Sequence, residues 1–283
     1  MRPATERPPV PTHRRAAARA TKKPPLLAEP VSVLQRTWGS WHFSLERKPL
    51  YADELAAQYD RVAATWKQRL NRLGIPRAYT RLMHSLLTGG ALCALPDDAW
   101  VLDAGTGTGA LSLALDAQHR AQRRGGRLLF SAIDRSPAML EVARAEFDAA
   151  RLDVALRHAD IERLPFDDGV FDLVMAGHVV EHLPAPEAAV RELVRVLRPG
   201  APLLLLTTRQ SFLGALVQLQ WRVHRLGMQE LEALLRASGL EDVRFVTLPG
   251  AAWNRHLSLV CTARKAERAM QNGVSQTHAE ASR

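Results

Sequence analysis

The run Val101-Leu102-Asp103-Ala104-Gly105-Thr106-Gly107-Thr108-Gly109 constrains the fold of this chain more than any other stretch. A short apolar segment ends in an acid. Three glycines follow at two-residue spacing, and Ala110, Leu111, Ala114 and Leu115 then fall at helical spacing. A buried strand that delivers its end into a Gly-rich turn and a helix N-terminus accounts for all three features. Glycine suits such a turn because it takes positive φ without strain and lets a ligand press against the backbone. The plainer alternative is a strand-to-helix turn that is merely rich in glycine.

Four further strand-like runs follow, most of them separated by helical pattern. Arg127–Ile133 ends at Asp134, after which Ser136-Pro137 supplies an N-cap and a first-turn proline. Leu140, Ala143 and Phe147 share the face of the next helix. Val154–Ala159 ends at Asp160, and Phe171–Ala176 ends at Gly177. Val190, Leu193, Val194 and Leu197 form an i, i+3, i+4, i+7 stripe stopped by Pro199-Gly200, and Pro202–Thr208 is a continuous apolar run. Such alternation predicts a doubly wound α/β fold: a mostly parallel sheet with helices on both faces and a ligand site at the carboxyl ends of its strands. Asp103, Asp134 and Asp160 then gather on that rim.

The loop alone leaves two nucleotide-binding readings open. Gly105-x-Gly107-x-x-Ala110 satisfies the dinucleotide fingerprint with its permitted final Ala, which would make the chain a nicotinamide-dependent oxidoreductase. Asp103-x-Gly105-x-Gly107-x-Gly109 resembles the first motif of the class I S-adenosylmethionine-dependent methyltransferases. The chain's ending favours the second. A helix over Met228–Ala237 and strands over Val243–Leu248 and Leu257–Ala263 resemble the antiparallel terminal hairpin of that superfamily, where the last strand inserts beside the fifth. Leu164-Pro165-Phe166 and Phe171-Asp172-Leu173-Val174 resemble a stretch of its ubiquinone/menaquinone-type small-molecule branch, and Tyr59-Asp60-x-x-Ala63-x-x-Trp66 resembles its N-terminal lid helix.

That resemblance implies a seven-stranded Rossmann-like fold and S-adenosyl-L-methionine as cofactor. It implies cofactor binding by Asp103, Gly105, Thr106, Gly107, Gly109, Asp134, Arg135, Asp160, Ile161 and Gly177. Asp134 would take the ribose diol, Asp160 and the Ile161 amide the adenine, and Asp103 with the loop amides the methionine end. The loop Gly177-His178-Val179-Val180-Glu181-His182 would border the methyl group. There His178 is the candidate general base, because an imidazole titrates near neutral pH. His182 is the weaker candidate and resembles a position that packs structurally. The implied function is methyl transfer to a small organic acceptor through O, N or C. A methyltransferase-fold binding subunit without activity is a further alternative.

Charge and composition bound the rest. The net charge of +9 is concentrated at the ends: residues 1–30 hold seven Lys/Arg against two Glu, and residues 264–283 hold four against two. The near-neutral body does not suggest a nucleic-acid partner. Seven prolines in residues 1–30 point to a disordered basic arm, and 264–283 reads as a disordered tail. Residues 31–96 are expected to form a helical lid, with helical pattern in 52–73 and 77–93, ahead of a cofactor-binding domain over 97–263. No apolar run is long enough for an integral membrane span. Cys93 and Cys261 lie too far apart to suggest a metal cluster, so no metal is expected and a cytoplasmic setting is. The apolar insert around Phe212, Leu213, Leu216, Val217, Leu219 and Trp221 is expected to meet a greasy substrate, a partner or a membrane surface. Trp253, Asn254, Arg255 and His256 are candidates for setting specificity on the same rim.

Overall fold

The computed structural model describes residues 31–47, 52–123, 126–183, 185–209, 227–251 and 258–267. The basic arm 1–30, the insert 212–221, the rim residues 253–256 and most of the tail lie outside them.

Two antiparallel strands, β1 (Val31–Trp38) and β2 (Trp41–Arg47), open the described chain. Two helices follow, α1 (Ala52–Arg72) and α2 (Ile75–Gly89). The alternating body consists of β3 (Trp100–Ala104), α3 (Ala110–Gln122), β4 (Leu129–Asp134), α4 (Pro137–Ala149), β5 (Val154–His158), β6 (Leu173–Gly177), α5 (Pro186–Val196) and β7 (Pro202–Thr208). It closes with α6 (Met228–Ala237), β8 (Leu240–Thr247) and β9 (Ser258–Lys265).

Seven of these strands form one sheet in the order β5-β4-β3-β6-β7-β9-β8. The first five in that order are parallel, and β9 inserts antiparallel to both β7 and β8. From β3 the chain winds outward through β4 and β5, then returns to the other side of β3 to lay down β6 and β7. The order therefore reverses between β3 and β6, where an open α/β sheet leaves a crevice for a ligand.

Period-2 alternation divides the strand side chains between two cores. Leu102, Val174, Leu203, Leu205 and Cys261 pack with α5 and α6 on one face. Val101, Leu173, Met175, Leu204, Leu206 and Val260 pack with α2, α3 and α4 on the other. All seven residues of β7 are buried, as its unbroken apolar sequence requires.

Two expectations need correction. Residues 31–47, counted within the helical lid, form a hairpin. Gly39 at φ +60° gives its two-residue turn the positive φ that a tight hairpin needs, and the β-branched and aromatic flanks pair at period 2. At the other end β9 runs to Lys265, two residues into the assigned tail. There the Arg264 guanidinium donates to the Gly200 and Ala91 carbonyls, and the Lys265 amide donates to Ala201, so these residues belong to the sheet.

Candidate functional site

The glycine loop leaves β3 with Gly105, Gly107 and Gly109 at φ +79°, +53° and +80°. Three left-handed residues at alternate positions fold the backbone back on itself, which side chains at these sites would oppose. The Gly105 and Thr106 amides both donate to the Ile133 carbonyl at the end of β4, at 2.8 and 2.9 Å. The Gly107 amide donates to Asp134 Oδ2 at 2.8 Å. The loop is thus tied to the neighbouring strand on the side where the crevice opens.

The three glycines do different work. A Cβ on Gly105 would collide with the Val179 side chain, and one on Gly109 would come within 2.5 Å of the Phe147 ring. A Cβ on Gly107 would meet nothing within 4 Å. Gly105 and Gly109 are therefore demanded by the protein's own packing, while Gly107 faces open space in the cavity wall.

Asp103 lies behind this loop, fully buried. Its Oδ2 accepts from Thr106 Oγ1 at 2.9 Å and from Ser112 Oγ at 2.6 Å, which joins β3, the loop and α3. Burial raises its pKa to about 6, against the lowering effect of the two hydroxyls. Its Oδ1 is buried with no hydrogen-bond partner. An unpaired carboxylate oxygen costs free energy and suits a cationic ligand group.

Asp134 ends β4. Besides Gly107 it accepts the Ser136 amide on Oδ1 at 2.9 Å, and burial raises its pKa. Ser136 caps α4 by accepting the Met139 amide, while its hydroxyl donates to Asp60 of α1 at 2.5 Å. Asp160 follows β5, accepting Arg135 Nη1 and the Glu162 amide, each at 3.0 Å. The loop beyond it is held by Arg195 of α5, which donates to the Leu164 and Phe166 carbonyls while Glu192 accepts the Leu164 amide. Asp172 has a structural role, accepting the Trp100 amide at the start of β3 and pairing with Arg198.

The loop after β6 supplies the third side. His178 is held at φ +57°, its amide donating to the Leu206 carbonyl at 2.7 Å. Its Nδ1 lies 3.0 Å from Glu181 Oε1, and its Nε2 lies 3.2 Å from Ser258 Oγ on β9. Glu181 is fully buried and also accepts the Thr208 amide and hydroxyl at 2.9 and 3.0 Å. Burial alone would raise its pKa, but the His178 hydrogen bond and the charges of His178 and His182 carry it below the usual carboxylate value. An ionised Glu181 can only accept, so His178 Nδ1 carries the proton in this arrangement.

Opposite stand α1 and α2. Tyr59 Oη lies 2.9 Å from His182 Nε2, and its ring meets Trp66 and His182 edge-on. Burial, followed by the charges of Glu181 and Asp134, raises the Tyr59 pKa, so its hydroxyl stays protonated.

These elements enclose a cavity of about 1140 Å³, counted out to its open mouth. Its wall brings together the predicted residues Gly105, Thr106, Gly107, Asp134, Arg135, Asp160, Ile161, Gly177, His178 and His182. Asp103 and Gly109 stand behind the wall. Tyr79, Leu70, Met139 and Thr108 were not anticipated, nor was Glu181 as the partner of His178. The i, i+3 spacing of His178 and Glu181 offered a local signal. Ser258, eighty residues away in sequence, offered none. Among the described residues no group of three or more His, Cys, Asp or Glu could hold a metal ion.

A family model described as the methyltransferase domain matches residues 102–205, which span β3 to β7. Demethylmenaquinone methyltransferase of Thermus thermophilus is 40% identical over 106 residues, 38% of this chain and 46% of that protein. Residues 102–205 of the chain are therefore similar to the methyltransferase domain of these small-molecule methyltransferases. Ubiquinone biosynthesis O-methyltransferase of Coxiella burnetii is 30% identical over 112 residues, 40% of this chain and 44% of that one. The chain thus aligns with a little under half the length of each of these two relatives. The structure of a Thermotoga maritima SAM-dependent methyltransferase matches the fold with TM-score 0.53 at 18% identity, covering 75% of this chain and 99% of that one. The [4+2]-cyclase SpnF matches with TM-score 0.56 at 19% identity, covering 77% and 97%. The fold by itself therefore does not fix the reaction.

Proposed function

We propose that this chain transfers a methyl group from S-adenosylmethionine to a small, largely apolar organic acceptor. The observation that carries the reading is the cavity at the strand-order reversal. It joins a glycine backbone with open space above Gly107 to acids at the ends of two neighbouring strands. The residues suit the group. Asp134 keeps free lone pairs for the ribose hydroxyls beyond the two amides it accepts. Asp160 and the Ile161 amide meet the adenine, with Arg135 holding the Asp160 carboxylate in place. Asp103, buried behind the loop with Oδ1 unpaired, directs negative charge toward the ammonium of the methionine end. S-adenosylmethionine, when bound, supplies a methyl carbon activated by its sulfonium.

The chain's own contribution is alignment and exclusion of water. Tyr59, Trp66, Leu70 and Tyr79 provide an apolar wall opposite the glycine loop, suited to an aromatic acceptor. The names of the quinone-pathway relatives support that choice. For a hydroxyl acceptor, His178 in its neutral form takes the proton at Nε2. Glu181 fixes the tautomer that leaves this nitrogen basic, and the acceptor hydroxyl replaces Ser258 as its partner.

The test is a methyl-transfer assay with a hydroxylated naphthoquinol as acceptor. His178→Ala is expected to lower the rate constant by about 10²–10⁴-fold while leaving S-adenosylhomocysteine affinity unchanged. A wild-type rate in the variant would remove His178 from the chemistry and leave alignment alone.

A further inference from the structure

The β1–β2 hairpin ends in two tryptophans facing each other across the turn, Trp38 paired with Trp41. They are 86% and 71% exposed, the most exposed large apolar side chains among the described residues. Trp38 and Trp41 have no role in the cavity described above. Burying indole surface is strongly favourable, so a pair held in water at a hairpin tip marks a contact site.

The register extends the pattern inward. The cross-strand pairs Trp38–Trp41, Arg36–Phe43 and Leu34–Leu45 alternate with Thr37–His42 and Gln35–Ser44. One side of the ribbon carries mainly apolar positions, and the other carries hydroxyl, amide and imidazole positions. Charge points the same way. Residues 1–51 hold ten Lys or Arg against three Glu, which is seven of the chain's nine net positive charges. A positively charged N-terminal region with a ribbon tipped by indoles matches an anionic lipid surface. Tryptophan favours the headgroup level, and basic residues are drawn to acidic headgroups. The mainly apolar register positions behind the indoles suit acyl chains better than stacked nucleic-acid bases, which want exposed ring faces along a phosphate-binding groove. Among the described residues no helix is long and apolar enough to cross a membrane, so the contact is peripheral.

We propose that the hairpin tip, assisted by the basic N-terminal region, docks this protein on anionic bilayers. Neither part suffices alone: the indoles supply the apolar contact and the basic residues supply the attraction. Docking does not depend on the methyl-transfer reading.

Flotation of the full chain with phosphatidylcholine vesicles, with and without phosphatidylglycerol, tests it. Binding is expected only when phosphatidylglycerol is present, and it should weaken as salt is raised. Trp38→Ser/Trp41→Ser should reduce partitioning by at least about tenfold, with Tm and S-adenosylhomocysteine affinity unchanged. Failure of the full chain to float with phosphatidylglycerol vesicles overturns the proposal. So does equal flotation of the double variant, which would leave the basic residues acting alone. Sedimentation velocity adds a third contrary outcome: a dimer that the double variant dissolves, with no lipid binding, would assign the tip to a second copy of the chain.

Discussion

Asp103 shows how a residue useful to a ligand can cost the empty protein stability. Its carboxyl stays protonated up to about pH 6 in the folded chain, against an ordinary value of 3.8. Between these values the folded chain holds a proton that the unfolded chain has released. The contribution of Asp103 to stability therefore falls as pH rises through that window and is level above it. Ligand-free wild type compared with Asp103→Asn should show this slope in the wild type and not in the variant, read as Tm against pH. Affinity for S-adenosylhomocysteine should run the other way, rising with pH through about 6 as the carboxylate behind the loop gains the charge that attracts the ammonium. A pH-independent difference in Tm would remove the buried-acid explanation. The glycines give a second contrast at this scale. Gly107→Ala meets no neighbour, so it should cost only about 1–2 kcal/mol for its left-handed backbone yet lower ligand affinity by tenfold or more. Gly105→Ala should damage the fold itself through Val179. Thermal melts and calorimetry on both variants separate the two roles, and Gly107→Ala with normal affinity would contradict the cradle.

Among the elements, α1 is tied to the body through Tyr59, Asp60 and Lys67. Tyr59 reaches His182, Asp60 accepts from Ser136 and from the Ala138 amide at the start of α4, and Lys67 pairs with Glu146 at 2.6 Å. The first two meet the loops after β6 and β4, which themselves line the cavity, so seating of the helix and shape of the pocket are coupled. Tyr59→Phe keeps the ring but loses the hydroxyl. Amide exchange should then quicken in α1 and leave β3, β6 and β7 unchanged, since a local opening need not involve the core. Identical exchange in α1 would mean that the Tyr59–His182 contact contributes nothing to its seating. The strands and helices of the body were legible because their signals are local: Pro202–Thr208 is an unbroken apolar run, and Ser136-Pro137 announces α4. The β1–β2 hairpin was missed because helical spacing downstream at 52–73 drew the whole N-terminal stretch toward a helical reading. The cavity's acids could be read from strand ends. The partners that set their chemistry could not, since Asp60–Ser136 and His178–Ser258 join residues 76 and 80 positions apart.

At the scale of the whole molecule, the matched span 102–205 and the helices before it contribute opposite walls of one cavity. The matched span provides the glycine loop, Asp134, Asp160 and His178. Tyr59, Trp66, Leu70 and Tyr79 come from α1 and α2, outside it. Under the proposed function, cofactor recognition would fall to the matched span and acceptor choice to the helices outside it. The central claim is that the cavity is built for S-adenosylmethionine and not for a dinucleotide. Calorimetric titration of the full chain with S-adenosylhomocysteine, with NADH and NADPH in parallel, tests it most directly, and Asp134→Ala serves as the internal control. Expected is saturable binding of S-adenosylhomocysteine alone, weakened by about 1.5–3 kcal/mol in the variant, the range for hydrogen bonds to a charged group. Binding of NADH or NADPH with no response to S-adenosylhomocysteine, or full affinity in Asp134→Ala, would contradict it.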